Sequence, residues 1–159
     1  MIAQVGLFPS RIRLWDRPLS MYRSIISAAV IGLPLASGLL AGKFTADTTF
    51  PEQDHRNFNR NGDAFNVGET LSGLTLEKGV ELIELLRPYV PEGASMSQFA
   101  IRWILDHPAV STVIAGTSRP EQVAENASVS ALPPLGVEAH DKLRKFYEQK
   151  VRSHVRGSI

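Results

Sequence analysis

No cysteine occurs anywhere in the chain. That excludes a disulfide framework, a thiolate metal site and a cysteine nucleophile. Neither sign of charge prevails, since 17 lysines and arginines face 16 aspartates and glutamates for a net charge of +1. Such a balance gives no support to a nucleic-acid or other polyanionic partner. The chain has no internal repeat and no low-complexity tract. Asp54–His55 invites a metal or acid–base reading, but no second histidine stands at ligand spacing, so the pair reads as polar loop residues with no metal. What is present is an ordinary globular composition, 43% hydrophobic and 21% charged over 159 residues, enough for one domain with a core. With no disulfide to protect, the default expectation is a cytoplasmic protein.

The stretch Val110–Asn126 carries the sharpest local signal. Val113, Ile114 and Ala115 form a short apolar run closed by Gly116, which predicts a buried strand of a parallel sheet. Ser118 and Glu121 fit a capping box, and Pro120 falls in the first turn, where a missing N–H costs little. A strand passing through glycine into a helix start directs free backbone N–H groups and a positive helix end out of one sheet edge. The expectation is an anion site, with Arg119 as a charged fork beside it. The plainer alternative is a common βα turn with a surface arginine.

Upstream, Arg11, Arg13, Arg17 and Arg23 are scattered through residues 1–23 without period, and Ser24–Gly42 carries no charge. A basic segment before an uncharged run outlines a membrane anchor or a signal peptide. Gly32, Pro34, Gly38 and Gly42 weaken that reading and divide the run into a predicted strand, Ala28–Leu33, and a glycine-bearing loop, Pro34–Lys43. Phe44–Gly73 has no sustained periodicity and reads as a long loop with a short helix. Phe44, Phe50, Phe58, Phe65 and Leu71 predict that this loop packs down, and its length suits a lid.

Thr75 is expected to cap a helix to about Arg87 with Leu76, Val80, Ile83 and Leu86 on its apolar stripe. Ser95 and Gln98 form a capping box opening a helix to about Asp106, apolar nearly all round through Phe99, Ile101, Trp103, Ile104 and Leu105. A helix follows Pro120 to about Val129, and a last amphipathic one covers Val137–Val151 with Leu143, Tyr147 and Val151 inward. Buried-type strands separated by helices indicate an α/β fold with parallel strands. The helices on either side of VSTVIAG also loosely imitate a helix-turn-helix, a nucleic-acid alternative that the intervening strand-like run and the neutral charge oppose.

PLASGLLAGKF (Pro34–Phe44), the Asp54–Glu69 segment, SQFAIRWILDHPAVSTVIAGTSRPEQVAEN (Ser97–Asn126) and the closing helix resemble the carboxyl-terminal part of the aldo-keto reductases. The likeness runs collinearly over roughly residues 31–151. It implies the C-terminal portion of a (β/α)8 TIM barrel, with Ala28–Leu33 similar to strand seven and Val110–Ala115 to strand eight. A complete barrel of this kind takes roughly 250 residues, so an incomplete one is expected. The implied division is an atypical segment, 1–30, and a partial barrel domain, 31–159. The implied chemistry is oxidoreduction, with NADPH (NADH not excluded) reducing a small aldehyde or ketone by hydride transfer.

By the same resemblance, the cofactor pyrophosphate lies against Pro34, Leu35, Ala36, Ser37, Gly38 and Leu39, with Lys43 just beyond. The adenosine phosphate lies against Gly116, Thr117, Ser118, Arg119, Gln122, Glu125 and Asn126, and the Asp54–Glu69 loop is a flap over it. Well-known members have an arginine at the position of Gln122, and Arg119 is placed to substitute for it. The family's catalytic aspartate, tyrosine, lysine and histidine belong to the barrel's first half, upstream of the resemblance. Tyr22, Tyr89 and Tyr147 align with no proton donor, and Gln4 is at best a faint match to a nicotinamide-binding glutamine. The expectation is therefore an inactive or partner-dependent piece, from a truncated or frame-shifted gene, with no catalytic residue of its own. An open barrel leaves a strand edge exposed, which predicts association with a complementary half or with itself.

Overall fold

A computed structural model describes residues 4–5, 12–13 and 29–157. Arg11, Trp15, Arg17, Tyr22, Arg23 and Ser24–Ala28 lie outside the described residues, and with them most of the basic segment and the start of the uncharged run. Near the amino terminus, β1 (Gln4–Val5) and β2 (Ile12–Arg13) pair antiparallel, Gln4 opposite Arg13. From residue 29 the order is β3 (Ala29–Ile31), α1 (His55–Phe58), α2 (Leu76–Leu86), α3 (Met96–Leu105), β4 (Val110–Val113), α4 (Pro120–Ser128) and α5 (Val137–Phe146). A π turn, Tyr147–Val151, extends α5, so the last amphipathic segment has its expected span.

β3 and β4 pair in parallel, with α2 and α3 between them in the chain, which is a βαβ connection. Ala29 faces Val110, Val30 faces Thr112 and Ile31 faces Val113. One step along β3 thus answers two along β4, a bulge that leaves Ser111 over. The bulge sets which side chains turn inward. Val110 and Val113, three apart, pack against the core, while Ser111 and Thr112 are exposed. The strand consequently ends at Val113, the first residue of the expected Val113–Ala115 run, and Ile114 is 63% exposed although its N–H donates to Ile31 O at 2.8 Å. Because β4 pairs with β3, α3 and α4 are not consecutive helices of a helix-turn-helix. Among the described residues no helix is long and apolar enough to cross a membrane, and the described part of the uncharged run forms β3 and a 3-10 turn, Ala36–Ala41.

α3 forms the centre of the core. Its Ser95–Gln98 capping box is present in both directions, and Met96, Phe99, Ala100, Ile101, Trp103 and Ile104 are buried. Burying side chains of the size of Phe99 and Trp103 stabilises by roughly 2–3 kcal/mol each. α2 starts at Thr75, whose hydroxyl accepts from Lys78 N–H, and it buries Gly79, Leu82, Ile83 and Leu86. The stripe is turned from the expected one because α2 meets the Ala36–Ala41 turn at a glycine. A Cβ on Gly79 would stand 2.7 Å from Leu39 Cδ2, and Leu39 is itself fully buried. The closeness of helix and turn depends on that missing methyl group.

Asp106, just past α3, ties the carboxyl-terminal third to this centre. Its carboxylate accepts from Arg102 Nε at 2.9 Å, from His140 Nε2 at 2.9 Å and from Leu135 N–H at 2.9 Å. Burial pushes the carboxyl up, but the His140, Leu135 and Arg102 interactions together outweigh it and hold it below the usual carboxylate range. Arg102 also donates to Val129 O and Leu132 O, so the hub fixes the link between α4 and α5. The tether contributes stability above the unfolded carboxyl pKa of about 3.9, and that contribution is lost as pH falls through the lower folded value. Asp106→Ala is expected to destabilise the chain by about 3 kcal/mol at pH 7 in urea unfolding, because it strands Arg102 and the Leu135 amide.

Candidate functional site

The residues singled out for phosphate binding lie on two loops and, for Gln122, Glu125 and Asn126, on α4 at the end of the second, and parallel pairing sends both loops out of the same sheet edge. One leaves Ile31, the other leaves its partner Val113. In the first, Leu33, Ala36 and Ser37 take φ of 53°, 50° and 56°, and Gly38 takes 92°. Such left-handed geometry is strained for residues other than glycine and folds the chain tightly on itself. The Ala36 N–H bonds Leu33 O and the Gly38 N–H bonds Leu35 O, which closes two successive turns. Pro34, Ala36 and Leu39 are buried, Leu35, Ser37 and Gly38 are half-buried, and Lys43 is exposed.

The long loop is bolted to this turn. Arg56 makes a two-pronged pair with Asp54, Nη2 to Oδ2 at 2.6 Å and Nε to Oδ1 at 2.9 Å, and its Nη1 donates to Ser37 O at 3.3 Å. The same guanidinium lies 4.4 Å over the Phe50 ring, and Phe50 meets Phe44 edge-on. Ser37 Oγ lies 3.2 Å from His55 Nε2 and donates to Glu69 O at 3.3 Å, so a hydroxyl expected at the pyrophosphate is engaged by the flap. Inside the loop, buried Asn59 donates to Thr70 Oγ1 and accepts from the N–H groups of Ala64 and Phe65. Leu71 is buried as expected. Phe58 and Phe65 are not; they stay 45% and 37% exposed and pack on each other.

On the second loop the geometry corrects the expected cap. The first residue outside α4 is Arg119, not Ser118, and Glu121 takes no part. Gln122 closes the helix start instead, its Oε1 accepting from Ser118 N–H at 2.8 Å and Arg119 N–H at 3.0 Å. Two of the amides expected to be free therefore have an internal acceptor. Glu125 is turned to α3, accepting from Ser95 Oγ at 2.7 Å. Gly116, Thr117, Ser118 and Arg119 are exposed, Asn126 is half-buried, and the Arg119 guanidinium has no side-chain partner among the described residues. The Ser118 hydroxyl also donates to Gln122 Oε1 at 3.3 Å, so the donor set left facing solvent is Arg119, Lys43 and the Thr117 hydroxyl, chemistry that fits an anionic phosphate. Among the described residues there is no cluster of three or more His, Asp or Glu that could hold a metal.

A short parallel pair with helices against one face and exposed Val30 and Thr112 on the other is what a segment of a closed α/β barrel presents. Comparison with known proteins agrees. The aldo/keto reductase family matches residues 29–148, and the chain belongs to that family. It is 30% identical over 148 residues to a probable voltage-gated potassium channel subunit beta of Oryza sativa subsp. japonica, covering 89% of this chain and 42% of that one. A putative subunit of the same kind from Schizosaccharomyces pombe is 35% identical, covering 74% and 34%. An L-glyceraldehyde 3-phosphate reductase of Escherichia coli K12 is 36% identical, covering 58% and 25%. The chain therefore spans less than half the length of these relatives. A solved glycerol dehydrogenase from Gluconobacter oxydans shares the fold at TM-score 0.65 and 22% identity, over 89% of this chain and 40% of that one.

The Asp54 carboxyl is drawn down to about 2, chiefly by the Arg56 hydrogen bond, with burial opposing. Its hold on the flap is thus full above pH about 4 and is lost as pH falls toward the folded value. Hydrogen exchange at the Arg56 amide, which Asp54 Oδ1 accepts at 2.9 Å, should show a protection factor level from pH 7 to about 4 and falling below. In Asp54→Asn that factor should drop by about ten-fold at neutral pH. On the second loop, Gln122→Ala should cost about 1 kcal/mol and selectively speed exchange at Ser118 and Arg119. Unchanged exchange at those two amides would show that the carboxamide does not cap the helix.

Proposed function

We propose that the chain carries part of the nicotinamide-dinucleotide cradle of an aldo/keto reductase, with β3 and β4 as the seventh and eighth barrel strands. One observation carries this reading. The Gly32–Lys43 loop and the Ile114–Arg119 loop with the start of α4 leave one sheet edge side by side through the Ile31–Val113 pair. That edge, where the carboxyl ends of parallel strands meet helix starts, is where barrels of this architecture place phosphates. Pro34, Leu35, Ala36, Ser37, Gly38 and Leu39 would face the pyrophosphate mainly through backbone, since half of them are buried. Arg119, with Thr117, Ser118 and Lys43, would face the adenosine phosphate. Gln122 and Glu125, bonded to the loop and to Ser95, act as positioning residues, and Asn126 stands beside them.

The reaction in this reading is transfer of hydride from reduced nicotinamide to a small carbonyl carbon, with a proton delivered to the oxygen. NADPH is favoured over NADH because a free guanidinium at Arg119 suits a 2′-phosphate. The residues matched here include no proton donor, so turnover requires the rest of a barrel, and this chain alone is proposed to bind without reducing. The potassium-channel role belongs to the names of the plant and yeast relatives. The carbonyl reading draws instead on the family and on the bacterial relative named as an L-glyceraldehyde 3-phosphate reductase. Calorimetric titration of the 159-residue chain with NADPH should give saturable heat, weakened about ten-fold in Arg119→Gln, and no aldehyde-dependent loss of NADPH absorbance. Absence of heat at millimolar cofactor would remove the reading.

A further inference from the structure

We infer that the chain holds a second anion site, for the phosphate of a small phosphate monoester, in a cavity between the flap and the start of α2. The cavity encloses about 470 Å³, the size of a small-molecule site. None of the dinucleotide-loop residues lines it, from Pro34 to Lys43 or from Gly116 to Asn126. Three arginines do: Arg56, Arg60 and Arg156. Glu77 is the single carboxylate among the described residues that line it.

The three cations differ in how they are held. Arg56 is neutralised by Asp54, outside the cavity lining. Arg156 is fixed but not neutralised. Its guanidinium donates to Gly73 O at 3.0 Å, Arg60 O at 2.8 Å, Leu74 O at 3.2 Å and Asn61 Oδ1 at 3.4 Å, all uncharged acceptors. Its backbone is seated against Gly73, where a Cβ would stand 2.6 Å from Arg156 O, so the close approach requires glycine. Arg60 is exposed, and its guanidinium has no partner among the described residues. The Thr49 hydroxyl is likewise without one.

A rigid guanidinium, a free one and an unpaired hydroxyl around one hollow leave positive charge facing a space that no internal carboxylate balances beyond Glu77. The unengaged Arg60 guanidinium offers a fork that matches the oxygens of a phosphate, whereas Arg156, with four of its N–H groups already donating to protein oxygens, contributes a fixed charge and its one remaining N–H. Phe50, Leu71 and Leu74 supply an apolar wall, which suits an organic body attached to the phosphate rather than a bare ion. The inference does not depend on the dinucleotide reading, because the two sets of lining residues do not overlap.

Calorimetry of the full chain with phenyl phosphate, with phenol as the uncharged control, tests this. Phenyl phosphate is expected to bind at one saturable site through the hollow, and phenol to give no saturable heat. Arg60→Gln should weaken phenyl phosphate about ten-fold, and Glu77→Gln should tighten it about three-fold by removing the opposed charge. Arg119→Gln should leave it unchanged, although the same variant weakens NADPH. Equal binding of phenol, no saturable heat with phenyl phosphate, unchanged affinity in Arg60→Gln, or loss in Arg119→Gln would each overturn the inference. The opposite signs expected of Arg60→Gln and Glu77→Gln separate a charge effect from unfolding.

Discussion

A pairing only three residues long, β3 against β4, is the constraint on which the rest depends. Parallel strands cannot be joined by a hairpin, so the chain must travel out and back through helices before the second strand can lie beside the first. That excursion carries the Ala36–Ala41 turn, the flap, α2 and α3, and α3 in turn fills the space beneath the sheet with Phe99 and Trp103. Two loops far apart in sequence become neighbours because their strands run the same way. In an antiparallel pair they would leave opposite ends.

Around that pair the molecule is stitched by ionic hubs of contrasting character. Asp106 is a buried anion with three donors drawn from α3, the α4–α5 link and α5. Arg156 is a cation satisfied by four neutral acceptors from the flap and the approach to α2. The first closes its charge internally and so is structural. The second is rigid yet electrostatically open, and it borders a cavity. Arg56 falls between them, neutralised by Asp54 yet reaching the strained Ser37 carbonyl, and joins flap to turn.

Local rules reached the helices well. Thr75, Ser95 with Gln98, and the apolar girth of α3 each announce themselves within four or five residues, and the parallel α/β class follows from the same run of elements. They failed where one residue acts on the register of many. Ser111, the extra residue of the bulge, turns Val110 and Val113 to the same side, so the apolar run at Val113–Ala115 pointed to the wrong strand end. They failed again where Ser118 matched a cap motif that Gln122 fulfils from the other direction. The Asp106–His140 bond and the Arg156 contacts were invisible because their partners lie 34 and more than 80 residues apart.

The Gln122 carboxamide has one further consequence. Its oxygen stands in front of the Ser118 and Arg119 amides, so the helix start is closed by a residue of its own first turn. The Ser118 hydroxyl lies 3.3 Å from the same oxygen, so a single atom gathers three donors and fixes the turn between β4 and α4. A loop tied down by one side-chain atom keeps its shape while its outward groups, Thr117 and the Arg119 guanidinium, stay exposed to solvent.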